Sequence, residues 1–338
     1  MTKQVPDMTD LRFVNDPDEE LLFTSLRAST WQDFVGQDQI KKSLKIALAA
    51  AHKRSEAVDH ILFYGPPGLG KTTLAQLIAK EMGVNFRITS GTALSKAANL
   101  AAILTNLEDG DVLFIDEIHR LPKAVEETLY PAMEDFSLDI VIGKGPSART
   151  VRLDLAKFTL IGATTRFGLL TGPFRDRFGL IHRLEFYEDK QLSKIVQAAS
   201  LKLDCQIDAA AAQALAQRSR GTPRIALKLF KRVRDFAEVM EKQQIDQSLV
   251  KQALSMFEID ELGLDENDRR LLMALMKKHR GRAVGLKTLS ASISEDPGTV
   301  EEVLEPYLLQ IGFIERTPKG RKASPKAYRH FQLSPPTD

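Results

Sequence analysis

The sequence predicts an α/β fold: a parallel sheet covered by helices, then a helical region, then three helices closed by a hairpin. Three observations predict it. The apolar run His60-Ile61-Leu62-Phe63-Tyr64 is stopped by a Gly-Pro loop and followed by helical spacing. Further apolar runs are separated by helix-like stretches, the pattern of a sheet covered on both faces. From about residue 188 the character becomes helix-rich.

Taken in order, residues 60–64 read as a buried strand, and Leu74, Leu77, Ile78 and Met82 mark one face of a helix over 71–82. Strands are expected at 111–116 (DVLFID), 159–165 (TLIGATT) and 184–187 (LEFY). Residues 137–155 alternate apolar and polar side chains on both sides of Gly143-Lys144-Gly145-Pro146, which predicts a β-hairpin. Beyond 188 come alanine runs near 209–216 and a basic amphipathic stretch at 224–239. Helical patterns at 266–279, 286–293 and 297–310 lead into residues 312–316, a turn at 317–320 and a return at 321–323, a winged-helix pattern. The expected domains are therefore 1–187, 188–260 and 261–338.

A chain of 338 residues with 43% hydrophobic and 27% charged residues buries a substantial core. Lys plus Arg number 47 against 45 Asp plus Glu, so bulk charge identifies no polyanionic partner and a basic patch has to be found locally. The single cysteine, Cys205, excludes an internal disulfide and reads as a small buried apolar residue. The polar start lacks the pattern of a signal peptide, and no apolar run approaches the roughly 18 residues that span a bilayer. A cytoplasmic protein without membrane contact is expected.

GPPGLGKT, residues 65–72, fits the phosphate-binding pattern G-x-x-x-x-G-K-[ST] and lies between a predicted strand and a predicted helix. Glycines let backbone N–H groups wrap phosphates, and the helix N-terminus favours negative charge. Gly68, Gly70, Lys71, Thr72 and Thr73 are the candidate ATP-binding residues. Lys71 reaches the β- and γ-phosphates, and Thr72 ligates Mg²⁺. Asp116 and Glu117 close the run DVLFI: Asp116 is assigned to the metal and Glu117 to the base that polarises water. A pair of solvated acids opening a helix is the competing reading, and the phosphate loop weighs against it. His119 has no zinc-like spacing. Thr164 and Thr165 end the next run, where a hydroxyl can sense the γ-phosphate or serve only as a β-branched strand residue. Arg175 and Arg177 suit transition-state charge or a salt bridge with Asp176, and Arg224 has the same ambiguity.

These segments, together with AAILTNLEDGDVLFIDEIHRL, LYPAMEDFSLDIVIGKGPSAR, RDRFG, SRGTPRIA and EPYLLQIGFIERTPKGR, resemble the RuvB family of AAA+ motors from Leu26 to His330. The resemblance implies a P-loop ATPase domain, a helical lid and a winged-helix head, assembled as a homohexamer on duplex DNA at Holliday junctions. It implies ATP-driven branch migration in recombination, DNA repair and the SOS response, and a functional link to a junction resolvase. Thr165 becomes the γ-phosphate sensor, Arg177 an arginine finger for a neighbouring subunit, and Arg224 a second sensor. Leu26, Arg27, Glu134, Asp135, Phe136 and Tyr187 match positions lining the nucleotide. The hairpin matches the element that docks on RuvA, through Ile140, Val141 and Ile142, and Arg316 and Arg321 match DNA-contacting arginines. The chain departs from the family pattern at Ala28, at Leu227 and over residues 95–99. Independently, residues 311–330 hold six Lys and Arg against the single acid Glu315, a local basic surface suited to phosphates without a base-reading signature. The rival expectations are an AAA+ loader that remodels a partner without translocating and a winged-helix regulator with a passive ATP site.

Overall fold

The computed structural model describes residues 17–142 and 149–335, and the side chains from residue 22 to 140 and from 149 onward. The expected turn Gly143-Lys144-Gly145-Pro146 and the side chains of Val141 and Ile142 lie outside the described residues.

Two helices open the chain, α1 (Pro17–Leu26) and α2 (Asp38–Arg54). The second buries Ile40, Leu44, Leu48 and Ala51, a stripe at the helical period. Then come β1 (Ile61–Tyr64), α3 (Lys71–Met82), β2 (Phe86–Ser90), α4 (Ala97–Leu104), β3 (Val112–Asp116) and α5 (Lys123–Glu134). The hairpin β4 (Ser137–Ile142) and β5 (Arg149–Asp154) follows, then β6 (Thr159–Thr164), α6 (Gly172–Arg175) and β7 (Leu180–Arg183). Five parallel strands form one sheet in the order β2-β3-β6-β1-β7. Strand alternation divides the core between its two faces: Ile61, Phe63, Val112 and Phe114 pack into one cluster, and Leu62, Leu113, Ile115 and Leu160 into the other.

The sheet differs from the sequence expectation at both edges. The strand expected at 184–187 lies instead at Leu180–Arg183, where His182 and Arg183 interrupt any apolar run. Leu184 still bonds back to the Tyr64 carbonyl at 2.8 Å, and Tyr187 then leaves the sheet for the Gly221 carbonyl. At the other edge, β2 reads FRITS with Arg87 and Ile88 exposed. Edge strands bury one side only, so the continuous hydrophobic signal that marks β1, β3 and β6 is missing.

A helical unit follows: α7 (Asp189–Lys202), β8 (Gln206–Ile207), α8 (Ala209–Gln217), α9 (Pro223–Val239), β9 (Gln244–Ile245) and α10 (Gln247–Met256). Its starts are written in the sequence, since Asp208, Thr222 and Asp246 each accept from an N–H three residues on. Leu192, Leu215, Phe230 and Val250 share the cluster of Ile61 and Leu74, so this unit packs directly on the sheet. Cys205 is only partly buried there, and burial raises its thiol pKa.

The last unit has its own core. Helix α11 (Glu266–Met273) runs into a π-turn at Ala274–Lys278, and α12 (Leu286–Ile293) follows. Next, α13 (Pro297–Thr299), a π-turn and α14 (Glu305–Gln310) lead to the antiparallel pair β10 (Ile314–Thr317) and β11 (Gly320–Ala323). A final helix, α15 (Pro325–His330), occupies part of the basic segment, where no apolar periodicity marks a helix. Ser324 caps it, Pro325 opens it, and Ala327 and Tyr328 enter the core.

Candidate nucleotide site and DNA-facing residues

The phosphate loop joins the carboxyl end of β1 to the first turn of α3, the place where open parallel sheets bind ligands. Gly68 and Gly70 have φ of 79° and 99°, backbone that side-chain-bearing residues rarely adopt. A Cβ at Gly68 would also lie 2.9 Å from Cβ of Arg224. Among the described residues the N–H groups of Gly68, Leu69 and Gly70 have no protein acceptor, which is what a phosphate cradle requires. Lys71 is buried and donates to the carbonyls of Gly65 (2.8 Å) and Pro66 (2.9 Å). Burial lowers its pKa, while Glu117 and Asp116 favour the charged form. Thr72 and Thr73 continue the turn, with Thr73 buried.

Asp116 ends β3 and accepts from the Glu117 N–H at 3.0 Å. Burial raises its pKa, and Glu117 adds to the effect. Glu117 has a left-handed backbone, φ 46°. Burial pushes its pKa up, but hydrogen bonds from His119 and Thr165 outweigh this and leave it below the ordinary carboxylate value. The Thr165 hydroxyl donates to Glu117 Oε2 at 3.0 Å, and His119 Nδ1 lies 3.1 Å from the same oxygen. His119 is also 2.9 Å from the Thr164 hydroxyl, so it links the ends of β3 and β6. Its residue type carried no signal for this role, because its partner Thr164 comes from a strand far along the chain.

The helical unit supplies Arg224, and Tyr187 stands just before its first helix. The Arg224 N–H meets the Gly68 carbonyl at 3.4 Å, and its charge offsets a small part of the rise in the Asp116 pKa. Tyr187 donates to the Leu69 carbonyl at 3.1 Å, and burial raises its pKa. Leu26 is buried in the same cluster, and the carbonyls of Leu26 and Arg27 accept from Lys202 at 3.4 and 2.8 Å. Lys71, Thr72, Thr73, Asp116, Glu117, Thr165, Tyr187 and Arg224 thus surround one loop.

Four expected residues lie elsewhere. Phe136 packs on His60 and Phe158, with ring centroids 6.2 and 5.9 Å away. His60 precedes β1 whereas the phosphate loop follows it, so Glu134, Asp135 and Phe136 sit toward the opposite end of the sheet and do not line this chain's own loop. Asp135 pairs with Arg152 of the hairpin at 2.7 Å. Arg177 bonds to the Pro173 carbonyl (2.6 Å) and Glu134 (3.1 Å) and lies 4.0 Å from the Tyr130 ring centre.

In the hairpin, Ile140 is half-buried against the core, while its partner Val151 and the neighbouring Leu153 are exposed. In the winged unit Arg316 and Arg321 both grip the fully buried Glu305, Arg316 at 2.6 Å. Arg321 is only 16% exposed and lies 3.7 Å from Glu301, whereas Arg316 is 51% exposed. Two further contacts tie the units together. Arg166, next to Thr165, pairs with Glu301 (2.9 Å) and Glu302 (2.7 Å). Arg220 of the helical unit pairs with Asp265 (2.8 Å) and the buried Asp268 (2.6 Å).

Comparison with known proteins agrees with this architecture. Residues 26–184 match the model of the Holliday junction DNA helicase RuvB P-loop domain, 187–260 the RuvB AAA lid domain and 261–332 the RuvB C-terminal winged helix domain. The structure of the Thermotoga maritima RuvB Holliday junction branch migration motor is 49% identical, with a TM-score of 0.85 over 92% of this chain and 100% of that one. A point mutant of Thermotoga maritima RuvB is 50% identical, with a TM-score of 0.86 over 92% of this chain and 99% of that one. Matched by the family's models over nearly its whole length, and half identical to its solved members, the chain belongs to the RuvB family.

Proposed function

We propose that the chain is an ATP-driven DNA motor that works as a homohexameric ring and, with RuvA, drives branch migration of Holliday junctions. The observation that carries this reading is the division of the catalytic groups. Lys71, Asp116, Glu117 and Arg224 converge on one loop, while Arg177 is held away from it by Glu134 and Tyr130.

In this reading the loop N–H groups and Lys71 bind the β- and γ-phosphates of ATP. Thr72 and Asp116 offer the hard oxygen donors that suit Mg²⁺, which when bound neutralises phosphate charge. Glu117, ionised at neutral pH, polarises the attacking water. Thr165 and His119 hold its carboxylate in place, and Thr165 senses the γ-phosphate. Arg177 of one subunit completes the neighbour's site by stabilising charge on the transferred group. Glu134, Asp135 and Phe136 join it on that face. Arg224 ties the lid to the loop, so loss of the γ-phosphate changes the angle of the lid. Arg220, locked to Asp265 and Asp268, carries the winged-helix unit with it. Division into domains at 1–187, 188–260 and 261–338 fits this scheme. Arg316 and Arg321 contact the DNA backbone, and the hairpin docks on RuvA. No helix among the described residues is long and apolar enough to cross a membrane, and we assign the protein to the cytoplasm, with a functional link to a junction resolvase.

ATP-dependent dissociation of a synthetic four-way junction, with and without RuvA, tests the proposal. Dissociation that requires both ATP and the intact loop is expected. ATP hydrolysis without dissociation would sink the motor and favour a loader that remodels a partner.

A further inference from the structure

The winged-helix unit carries a second basic element. Lys277-Lys278-His279-Arg280-Gly281-Arg282 closes the helix that begins with α11, and no acidic residue occurs between Asp268 and Glu295. The π-turn at Ala274–Lys278 ends on His279, and Arg280 (φ 51°) and Gly281 (φ 71°) reverse the chain. The chain then runs straight into the wing. Val284 exchanges two backbone hydrogen bonds with Arg321, at 2.8 and 2.7 Å, an isolated antiparallel bridge beside β11.

The turn frames a cavity of about 560 Å³ lined by Lys278, His279, Arg280, Arg282, Gly285 and Thr288. Helix α12 positions two of these side chains. Lys278 donates to the Ser292 carbonyl at 3.1 Å, and His279 Nε2 lies 2.8 Å from the Ser292 hydroxyl. Because that hydroxyl donates to the Thr288 carbonyl, it accepts from the imidazole. Arg280 and Arg282 are exposed and have no carboxylate partner among the described residues. The wing arginines are the opposite case, since Arg316 and Arg321 share the buried Glu305. Gathering cations around a cavity without a carboxylate is electrostatically unfavourable, and a polyanion relieves it.

We propose that the 277–282 turn is a second phosphodiester-binding element, holding the backbone of duplex DNA next to the wing through Lys278, Arg280 and Arg282. The proposal rests on the reading that the winged-helix unit faces DNA. It adds that the unpaired cations of this turn, and not only the two arginines held by Glu305, carry the ionic contact. Backbone contact of this kind is independent of sequence and steepens the salt dependence of binding.

The test is binding of the full chain to fluorescent duplexes of several sequences, followed by anisotropy across a salt series. One variant combines Arg280→Gly, which suits the left-handed backbone, with Arg282→Gln; the other combines Arg316→Ala with Arg321→Ala. Loss of two phosphate contacts makes the log–log salt slope about 2 shallower per bound subunit, equally for all duplexes. If the turn variant lowers Tm appreciably, Lys278→Gln alone is read instead, with a slope about 1 shallower. An unchanged slope for the turn variants beside a shallower one for the wing variant overturns the proposal and leaves the DNA-facing reading intact. Unchanged slopes for both overturn both. A loss confined to one duplex sequence overturns backbone contact.

Discussion

Glu117, the proposed base, illustrates how much of a carboxylate's state is decided by partners distant in sequence. Its position at the end of an apolar run, after a phosphate loop, is legible from spacing. Its partners are not, because the hydroxyl of Thr165 and the ring of His119 meet its carboxylate only when β3 and β6 pair. The same holds for Glu305, an acid inside a helix pattern that proves to be the common anchor of Arg316 and Arg321. His60 is a third case, read in the sequence only as the first residue of an apolar run. Its Nδ1 accepts from the Leu160 N–H at 2.9 Å, so Nε2 carries the proton and donates to the Met133 carbonyl at 3.0 Å. Burial lowers its pKa below the ordinary 6.5. On acidification the unfolded chain therefore takes up a proton before the folded one does, so stability falls as pH drops below about 6.5 toward the folded pKa. The contribution is at most about 1.4 kcal/mol per pH unit. Replacing His60 with Gln keeps a donor and an acceptor without the titration. Thermal melts of the variant should lose less stability between neutral and mildly acidic pH than the parent, and equal losses would show that another group is responsible.

At the scale of elements, strands β1, β3 and β6 were legible because burial on both faces leaves a continuous apolar run, whereas β2 and β7 hide their pairing in mixed edges. The helix starts at Asp208 and Asp246 rest on side-chain caps that the apolar patterns did not mark. The hairpin was legible from alternation, yet alternation does not say which strand faces solvent. Leu138 is buried and Ile140 half-buried, while the cross-strand partners Leu153 and Val151 present apolar surface outward. If this ribbon docks on an apolar surface of RuvA, Val151→Glu with Leu153→Glu should weaken that complex. With little more than a third of each side chain left to bury, roughly 0.5–1 kcal/mol per residue is at stake, a loss of a few-fold for each. Calorimetric titration with RuvA measures it, and an unchanged Kd would remove β5 from the interface.

Across the whole molecule, the units are linked by few but specific contacts. The lid shares the core of the sheet and touches the phosphate loop through Arg224. It joins the winged unit through Arg220, whose partner Asp268 is fully buried, so breaking that pair strands a charge and destabilises strongly. Arg166 fastens the winged unit back to the sheet beside Thr165. None of these links is visible in local sequence patterns, because each joins residues from separate units whose types alone name no partner. Within one chain the loop and Arg177 lie toward opposite ends of the sheet, each stabilised by its own surroundings. The proposed function therefore makes hydrolysis a property of neighbouring subunits. ATP turnover by mixed Arg177→Ala and Lys71→Ala chains tests this directly. Each variant alone should be inactive, with Arg177→Ala still binding nucleotide. Mixing them should restore part of the turnover, as intact loops meet intact arginines across subunit boundaries. A mixture no more active than either variant alone would contradict a shared site.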